Sequence, residues 1–298
     1  MSNAPVPSVS IGMPVYNSER RVAASIRSLL EQSYTDFELV ISDNASTDGT
    51  TEILEGFARA DSRIVLLRQP FNRGSNANYR AVALAARGRY FKWAASNDLN
   101  HPDLVRDCVE ALSRDPQAVL AYPRTRLIEE DSDKGVDYTD NLDLRMDDPI
   151  ERFDALFARL QLNNVMNGLI RRESLLRTGL LGDYVCADAV LLAKLSLMGK
   201  FLEVPRVLFY RRMTHDASTK AHGQVLEHLY AQRAKGRNFQ QWKWCSALTR
   251  CLIQGGVRPG DRVRLLPRVA KQWRWSLPML AEDLRTALGH RPHNAATR

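Results

Sequence analysis

The chain has 298 residues, of which 44% are hydrophobic and 26% are charged, and its formal net charge at pH 7 is +8. This composition supports a substantial core and excludes a largely disordered protein. No segment approaches the roughly 20 consecutive apolar residues of a membrane span, and the first residues lack the pattern of a signal peptide, so we expect a cytoplasmic protein. The four cysteines have neither the spacing of a zinc site nor the density of a disulfide framework.

Short β-branched runs and amphipathic segments alternate through residues 1–125. Strands are predicted at Val9–Met13, Leu39–Ser42, Ile64–Leu67, Tyr90–Ala94 and Ala118–Tyr122. Helices are predicted between them, at Arg20–Gln32, Thr51–Ala60, Ser75–Ala86 and Asp103–Ser113. This alternation predicts right-handed crossovers and a mostly parallel α/β sheet flanked by helices. Ligands of such sheets bind beyond the carboxyl ends of the strands.

Polar clusters follow three of the predicted strands. They are Pro14–Asn17 after the first strand, Asp43–Gly49 after the second and Ser96–Asp98 after the fourth. Because the carboxyl ends of parallel strands meet at one edge of a sheet, we expect the three clusters to converge there.

The second part of the chain, residues 126–218, is less regular. Residues 126–150 are acidic and indicate a solvated loop, whereas the polar run Asn163–Gly168, which precedes an apolar strand, indicates the lining of a site. An amphipathic helix is predicted at Cys186–Met198, with Asp188 in its first turn. A strand at Phe201–Phe209 leads into a basic segment that contains Arg211, Arg212 and His215.

The net positive charge belongs to the C-terminal part of the chain. Residues 219–298 contain 15 Lys or Arg and 4 Asp or Glu, and the pattern is mostly helical. Gln240–Trp244 and Lys271–Trp275 interleave tryptophan with basic residues, which suits an anionic membrane surface. Helix packing or a homodimer interface explains the same pattern equally well. Nucleic acid is not expected as a partner, because no recognised motif accompanies the charge.

Three segments resemble, in order and spacing, the family 2 glycosyltransferases: Val9–Asn17, Leu39–Thr50 and Asn72–Gly74. The resemblance covers roughly residues 8–215. It implies the GT-A fold, a Rossmann-like α/β domain at 1–218, in which 1–125 binds a nucleotide-diphosphosugar and 126–218 forms the acceptor and catalytic half. Residues 219–298 would then be a helical basic extension.

The resemblance also implies a nucleotide site at the first two polar clusters. Pro14 and Tyr16 would lie near the nucleobase, and the carboxylate of Asp43, followed by Asn44, would accept the imide N–H of uracil or thymine. Arg73 would contact the diphosphate. Other readings stay open for three of these residues: Tyr16 as a packed aromatic ring, Asp43 as the start of a helix-capping Asx turn, and Arg73 as a side chain that faces water.

The turn after the fourth strand departs from the family pattern. This strand normally ends in metal-binding aspartates, but Ala95 and Asn97 stand at positions that are often Asp, which leaves Asp98 as the single carboxylate. One reading is a weakened Mg²⁺ or Mn²⁺ site formed by Asn97, Asp98 and the donor diphosphate. A second is a metal-independent enzyme that uses basic side chains, and a third is a site that only binds.

The resemblance implies a base and a set of phosphate contacts. Asp188 matches the acidic residue that deprotonates the acceptor hydroxyl in these inverting enzymes, although a role in capping its helix is an alternative. Arg211, Arg212 and His215 match a segment that closes over the donor phosphates.

Together these features predict an inverting glycosyltransferase that moves a hexose from a UDP- or dTDP-sugar to a hydroxyl acceptor. The acceptor would belong to a surface polysaccharide, a lipid-linked glycan or a natural product, and the enzyme would be cytoplasmic or peripheral at the inner face of the membrane. The alternative is a non-catalytic sugar-nucleotide or partner-binding protein on the same fold.

Overall fold

A computed structural model of the chain describes residues 6–129, 134–213, 239–253 and 257–288. The strands within these ranges are β1 Val9–Val15, β2 Phe37–Asp43, β3 Ile64–Arg68, β4 Tyr90–Trp93, β5 Leu99–Asn100, β6 Ala118–Glu129, β7 Gly135–Tyr138, β8 Leu169–Arg171 and β9 Lys200–Met213. The helices are α1 Val22–Leu30, α2 Thr50–Ala60, α3 Ser75–Ala85, α4 Leu104–Arg114, α5 Pro149–Arg159, α6 Arg172–Arg177, α7 Ala187–Met198, α8 Gln240–Thr249 and α9 Pro259–Ala287. Short 3₁₀ helices lie at Asn164–Asn167 and Arg250–Leu252.

The first half of the sheet is parallel, in the order β3-β2-β1-β4. Every residue of β1 and β2 is buried, as expected for strands that helices cover on both faces. The register pairs Val15 with Asp43, so these two strands end at the same level. The strands and helices predicted in residues 1–125 are present, and the α/β class is confirmed.

The second half of the sheet is mixed. β8 is antiparallel to both β4 and β6, β9 runs parallel to β6, and β5 and β7 are antiparallel to β9 and β6. The sequence analysis did not predict β5 or β7, because strands of two to four residues leave no periodic pattern. The apolar strand expected after Gly168 is present as β8. β9 extends to Met213, and this extension carries Arg211 and Arg212 to the carboxyl edge.

Two apolar layers cover the faces of the sheet. On one face, α1, α2 and α4 contribute Ile26, Leu54 and Val105 to a layer that includes Ile11 of β1. On the opposite face, α3, α5, α7, α8 and α9 pack in a second layer, which includes the fully buried Trp93. The result is a three-layer α/β/α arrangement with the sheet in the middle.

The described part of the C-terminal extension packs against the α/β core. The Trp242 and Trp273 rings meet edge to face at 6.0 Å between α8 and α9, and the Trp273 indole donates to Thr249 Oγ1 at 2.9 Å. Arg268 of α9 pairs with Asp154 of α5. Packing therefore accounts for two of the tryptophans in the basic segments, whereas Trp275 is 61% exposed. None of the described helices combines the length and the apolar character that crossing a bilayer requires.

Candidate active site

Asp43 lies at the end of β2 and is 3% exposed. Its Oδ1 accepts hydrogen bonds from the backbone N–H of Ser46 at 3.0 Å and from the Ser46 hydroxyl at 2.6 Å, and its Oδ2 accepts one from Thr51 Oγ1 at 2.7 Å. The carboxylate thus forms the loop turn that was the structural alternative for this residue. A carboxylate has about four lone-pair positions, so these contacts leave room for one further donor such as a nucleobase imide.

Asn44 and the loop at 72–74 form a rigid connection beside Asp43. The Asn44 side chain donates to Asn72 Oδ1 at 2.8 Å and accepts from the backbone N–H of Arg73 at 2.9 Å. Gly74 has a φ of 86°, a conformation that favours glycine, and α3 begins directly after it. The Arg73 side chain is exposed and donates to Gln69 at 3.2 Å. Asn44 therefore shapes the loop, and Arg73 lies at its outer edge.

Asn78 of α3 is a buried polar residue that the sequence analysis did not single out. Its side-chain amide donates to the carbonyls of Val15 at 3.2 Å and of Ser42 at 3.0 Å. Val15 is the last residue of β1, and Ser42 is the last but one of β2. These bonds fix the spacing of the two strand ends at which Tyr16 and Asp43 stand. Tyr16 itself is half-buried.

The Asn97–Asp98 turn is held by the end of β9. Asp98 is 5% exposed, and its Oδ1 accepts the backbone N–H of Arg212 at 2.9 Å. The Arg212 guanidinium donates to the Asn97 carbonyl at 3.0 Å. Burial raises the pKa of Asp98 from its ordinary 3.8 to about 6, although the Arg212 N–H and the nearby cations oppose the rise. Ser96 also meets Ser18 at 2.8 Å, which ties this turn to the loop after β1.

Asp188 lies in the first turn of α7 and faces the polar segment before β8. The side-chain amide of Asn163 donates to Asp188 Oδ2, and Oδ1 accepts the backbone N–H of Ala189 at 2.9 Å. Burial is the main cause that raises the pKa of Asp188 above its ordinary value, so the carboxyl is a better proton acceptor than a solvated aspartate. The contact with Ala189 matches the capping alternative, and the contact with Asn163 matches a side chain that lines a site.

Arg211 connects the two carboxyls. Its charge opposes the rise of pKa at Asp98 and at Asp188, which places the guanidinium within electrostatic range of both. Arg211 Nη1 donates to Asn164 Oδ1 at 2.7 Å. The structure therefore brings together residues that are far apart in the sequence: the turn after β4, the start of α7 and the end of β9.

Asp140 corrects one expectation from the sequence. Residues 126–150 were expected to form a solvated loop, but Asp140 is 3% exposed and accepts hydrogen bonds from the Asn164 amide at 3.2 and 3.3 Å. Burial raises the pKa of Asp140 to about 7, and the charge of Arg211 opposes the rise. The pattern failed here because a run of aspartates does not show which member turns inward.

Two further buried groups lie beside the cluster. Burial raises the pKa of Tyr79 in α3 to about 12, and the negative charges of Asp98 and Asp188 add to the rise. Lys92 of β4 is 0% exposed, and its ammonium donates to the carbonyls of Asn167 at 2.7 Å and of Trp93 at 3.0 Å. Burial lowers the pKa of Lys92 to about 8. A lysine in the middle of an apolar strand was the signal that could have identified this residue.

The turn does not fit a metal site formed by the protein. Across the described residues, no group of three or more His, Cys, Asp or Glu side chains could hold a metal ion. The carboxylate at the turn, Asp98, already accepts a hydrogen bond from Arg212, and the guanidinium charges nearby oppose the binding of a divalent cation.

Most of the predicted site residues fall into two groups. Pro14, Tyr16, Asp43 and Asn44 gather at the ends of β1 and β2, and Asn97, Asp98, Asp188, Arg211 and Arg212 gather around the end of β9. Arg73 stands apart from both groups, on the surface. His215 lies outside the described residues. The roles of these residues stay predictions.

Comparison with known proteins gives consistent matches. The family model described as "Glycosyl transferase family 2" matches residues 10–178. The Escherichia coli protein "UDP-Glc:alpha-D-GlcNAc-diphosphoundecaprenol beta-1,3-glucosyltransferase WfgD" is 38% identical over 92 residues, which are 30% of this chain and 35% of the relative. The matched segments span 18–48% of the length of the curated relatives.

Two solved structures share the fold. S. aureus TarS 1-349 in complex with UDP-GlcNAc superposes with a TM-score of 0.66 at 14% identity, over 96% of this chain and 82% of that one. The mannosyltransferase PcManGT from Pyrobaculum calidifontis, in complex with GDP-Man and Mn²⁺, gives 0.52 at 18% identity, over 97% and 77% of the two chains. At these identities the likeness concerns the fold alone.

The buried carboxyl of Asp98 gives a pH-dependent prediction. Its folded pKa lies above that of an exposed aspartate, so the stability that the protonated form supports is complete below about pH 4 and is lost as the pH rises to about 6. Asp98→Asn is neutral throughout. Its free energy of unfolding should therefore rise relative to wild type between pH 4.5 and 7.5, by on the order of 2–3 kcal/mol. Urea unfolding at the two pH values measures this, and a constant difference would contradict the burial of the charge.

Proposed function

Since the chain belongs to glycosyl transferase family 2, we propose that it transfers a hexose from a UDP- or dTDP-sugar to a hydroxyl acceptor with inversion at the anomeric carbon. The observation that carries the proposal is the arrangement around Arg211. Two buried carboxyls, Asp188 at the start of α7 and Asp98 in the turn after β4, both interact with the charge of Arg211. The base and the diphosphate must belong to one site and flank the anomeric carbon, because the hydroxyl attacks on the face opposite the leaving group.

The nucleotide end of the donor would lie at β1 and β2. The remaining lone pair of Asp43 accepts the imide N–H of uracil or thymine, and the half-buried Tyr16 ring packs beside the base. Val15, which precedes Tyr16, pairs with Asp43, so the loop that carries Tyr16 and the Asp43 carboxylate start from the same level of the sheet. TarS in complex with UDP-GlcNAc and PcManGT in complex with GDP-Man have the same fold, so the proposal of uracil or thymine rests on the fit of the imide N–H to Asp43.

The transfer itself is a substitution at one carbon. The acceptor oxygen forms a bond to the anomeric carbon while the bond from that carbon to the β-phosphate oxygen breaks, and the electron pair leaves with the diphosphate. Asp188 takes the hydroxyl proton as the bond forms. Burial favours this role, since it raises the pKa of Asp188, and Asn163 and the backbone of Ala189 hold the carboxylate in place. Arg211 and Arg212 face the charge that develops on the diphosphate.

For the acceptor we propose a chemical class and no single compound. The relative WfgD is described as acting on a diphosphoundecaprenol-linked sugar. A lipid-linked glycan of a surface polysaccharide therefore ranks before a natural product as the acceptor of this chain. Such an acceptor would place the enzyme peripherally at the inner face of a membrane.

The alternative function is non-catalytic binding of a sugar nucleotide. The turn that lacks carboxylates at Ala95 and Asn97 favours it. A donor-hydrolysis assay separates the two functions, because a binding protein would bind nucleotide but release no sugar with any acceptor or metal.

Replacement of the proposed base tests the enzyme directly. In Asp188→Asn the group that accepts the proton is lost, so turnover should fall by about 100-fold or more while the Kd for UDP or dTDP changes by less than about three-fold. In the wild type, turnover should fall on acidification with a midpoint above the 3.8 of an ordinary aspartate, because only the carboxylate form accepts the proton and its pKa is raised.

The matched control for this variant is Asp183→Asn. Asp183 precedes the same helix, but its side chain is 70% exposed and pairs with Arg80. The control should retain turnover. If Asp188→Asn kept near wild-type turnover, Asp188 would not be the base.

The exposed side of α9 gives a second prediction. Lys271, Trp275 and Met279 follow one another at four-residue spacing and share one side of the helix, and the Lys271 ammonium lies 4.7 Å from the centroid of the Trp275 ring. This combination suits an anionic lipid surface. The protein should sediment with vesicles that contain phosphatidylglycerol, be released by salt, and bind less after Trp275→Ala and Lys271→Glu. Val136→Ala, an exposed apolar residue on β7, is the control.

A result without vesicle binding would remove the membrane proposal. Light scattering on the same samples tests the alternative, because a homodimer formed through this side of α9 would have twice the mass of the chain and would dissociate in the Trp275→Ala variant.

A further inference from the structure

We infer that the donor diphosphate is bound by the guanidinium groups of Arg211 and Arg212, with Asn164 and Asp140 positioning Arg211, and without a metal ion held by the protein. The inference rests on the proposed function, because it takes the donor to be a nucleotide-diphosphosugar. It adds the chemistry of the phosphate site and two positioning residues that the sequence did not identify.

The first observation concerns the oxygen ligands that the turn after β4 could give to a metal ion. Mg²⁺ and Mn²⁺ prefer several oxygen ligands, and carboxylates supply the charge that holds them. Here one carboxylate, Asp98, is already hydrogen-bonded to the backbone of Arg212, and the Asn97 carbonyl accepts from the Arg212 guanidinium. The turn therefore offers a cation one carboxylate, one of whose two oxygens is already bonded to the backbone of Arg212, and the Arg212 guanidinium occupies the same turn.

The second observation is the partner of Arg211. Its guanidinium donates to the side-chain oxygen of Asn164, which is a neutral amide. An arginine in a bidentate pair with a carboxylate would use its N–H donors on that partner, whereas Arg211 donates to an amide oxygen through one nitrogen and has further donors for a ligand. This contact also uses one of the five N–H donors of the side chain, and the others suit the two oxygens of a phosphate in a fork geometry.

The third observation is how Asn164 is itself fixed. Its oxygen faces Arg211 because its amide nitrogen donates to both oxygens of the buried Asp140. The 3₁₀ helix that carries Asn164 is also tied to β4, since the Lys92 ammonium donates to the carbonyl of Asn167. Asp140 thus positions the guanidinium through the Asn164 amide, in addition to the attraction between their charges.

The position of Arg211 completes the argument. The charge of the guanidinium acts on both Asp98 and Asp188, so it lies within electrostatic range of the two carboxyls. In the proposed reaction the β-phosphate is the group between the turn and the base. A planar cation at this point can stabilise the negative charge that reaches the β-phosphate oxygen as its bond to the anomeric carbon breaks.

The test compares diphosphate and monophosphate ligands with and without metal. Calorimetric titrations of UDP and UMP, or of dTDP and dTMP, would be made in EDTA and in Mg²⁺ or Mn²⁺. In the wild type, affinity for the diphosphate should agree within about three-fold in all three conditions. Arg211→Ala should lose at least about ten-fold in affinity for the diphosphate and less than about three-fold for the monophosphate, because the β-phosphate contact alone is lost.

Three further variants complete the experiment. Arg211→Lys should regain part of the lost diphosphate affinity, and it also serves if Arg211→Ala does not fold. Asn164→Ala leaves the guanidinium unaligned and should lower the ratio of diphosphate to monophosphate affinity in the same direction. Arg206→Ala removes an arginine of the same strand that pairs with Asp103 and Asp107, and it should bind like wild type.

The outcomes are distinguishable from failure of the proposed function. A gain of about ten-fold or more in diphosphate affinity on addition of metal would overturn the inference and leave the glycosyltransferase proposal intact. Equal losses of diphosphate and monophosphate affinity in Arg211→Ala would also overturn it, since Arg211 would then act on the fold or the base. Absence of binding by every nucleotide would overturn the donor site itself, and the inference with it.

Discussion

The arrangement of this protein depends on one arginine that is held among buried carboxyls. Arg211 lies within electrostatic range of Asp98, Asp140 and Asp188, which come from three different parts of the chain. Burying so many ionisable groups is expensive unless each has a partner. The long pairing of β6 with β9 brings Arg211 to this place, and the 3₁₀ helix before β8 supplies the amides that hold the carboxyls. The mixed half of the sheet therefore assembles this cluster, while the parallel half ends at Asp43 and the loop that carries Tyr16, where we propose that the nucleotide binds.

The parallel half could be predicted because its information is local. β1 and β2 are continuous apolar runs, and the polar residues that follow them mark the carboxyl edge, so the clusters Pro14–Asn17 and Asp43–Gly49 could be predicted without tertiary contacts. The choice of Tyr16 and Asp43 within these clusters came from the family resemblance. The mixed half could not be predicted in the same way. Asp140, Asn164 and Arg211 are 24 and 47 residues apart along the chain, and neither charge pattern nor periodicity indicates that they meet.

Several polar residues at the sheet edge hold the scaffold. Asn44 and Asn78 use their side chains to tie loop backbone to strand ends, and Asp43 shapes its own turn through both carboxylate oxygens. Such residues are positioned by the fold before any ligand arrives, which lowers the ordering cost of binding. For this reason a sequence motif at this edge cannot separate a structural role from a functional one. The carboxylate oxygens of Asp43 that hold the turn are the atoms that the proposed nucleotide would contact.

A crystal structure of the complex with UDP or dTDP tests the central claim most directly. The account predicts the base beside Tyr16 with its imide N–H on the carboxylate of Asp43, and the β-phosphate within hydrogen-bond distance of the Arg211 guanidinium, on the side that faces Asp188. A nucleotide bound at another surface, or a diphosphate turned away from Arg211, would contradict it.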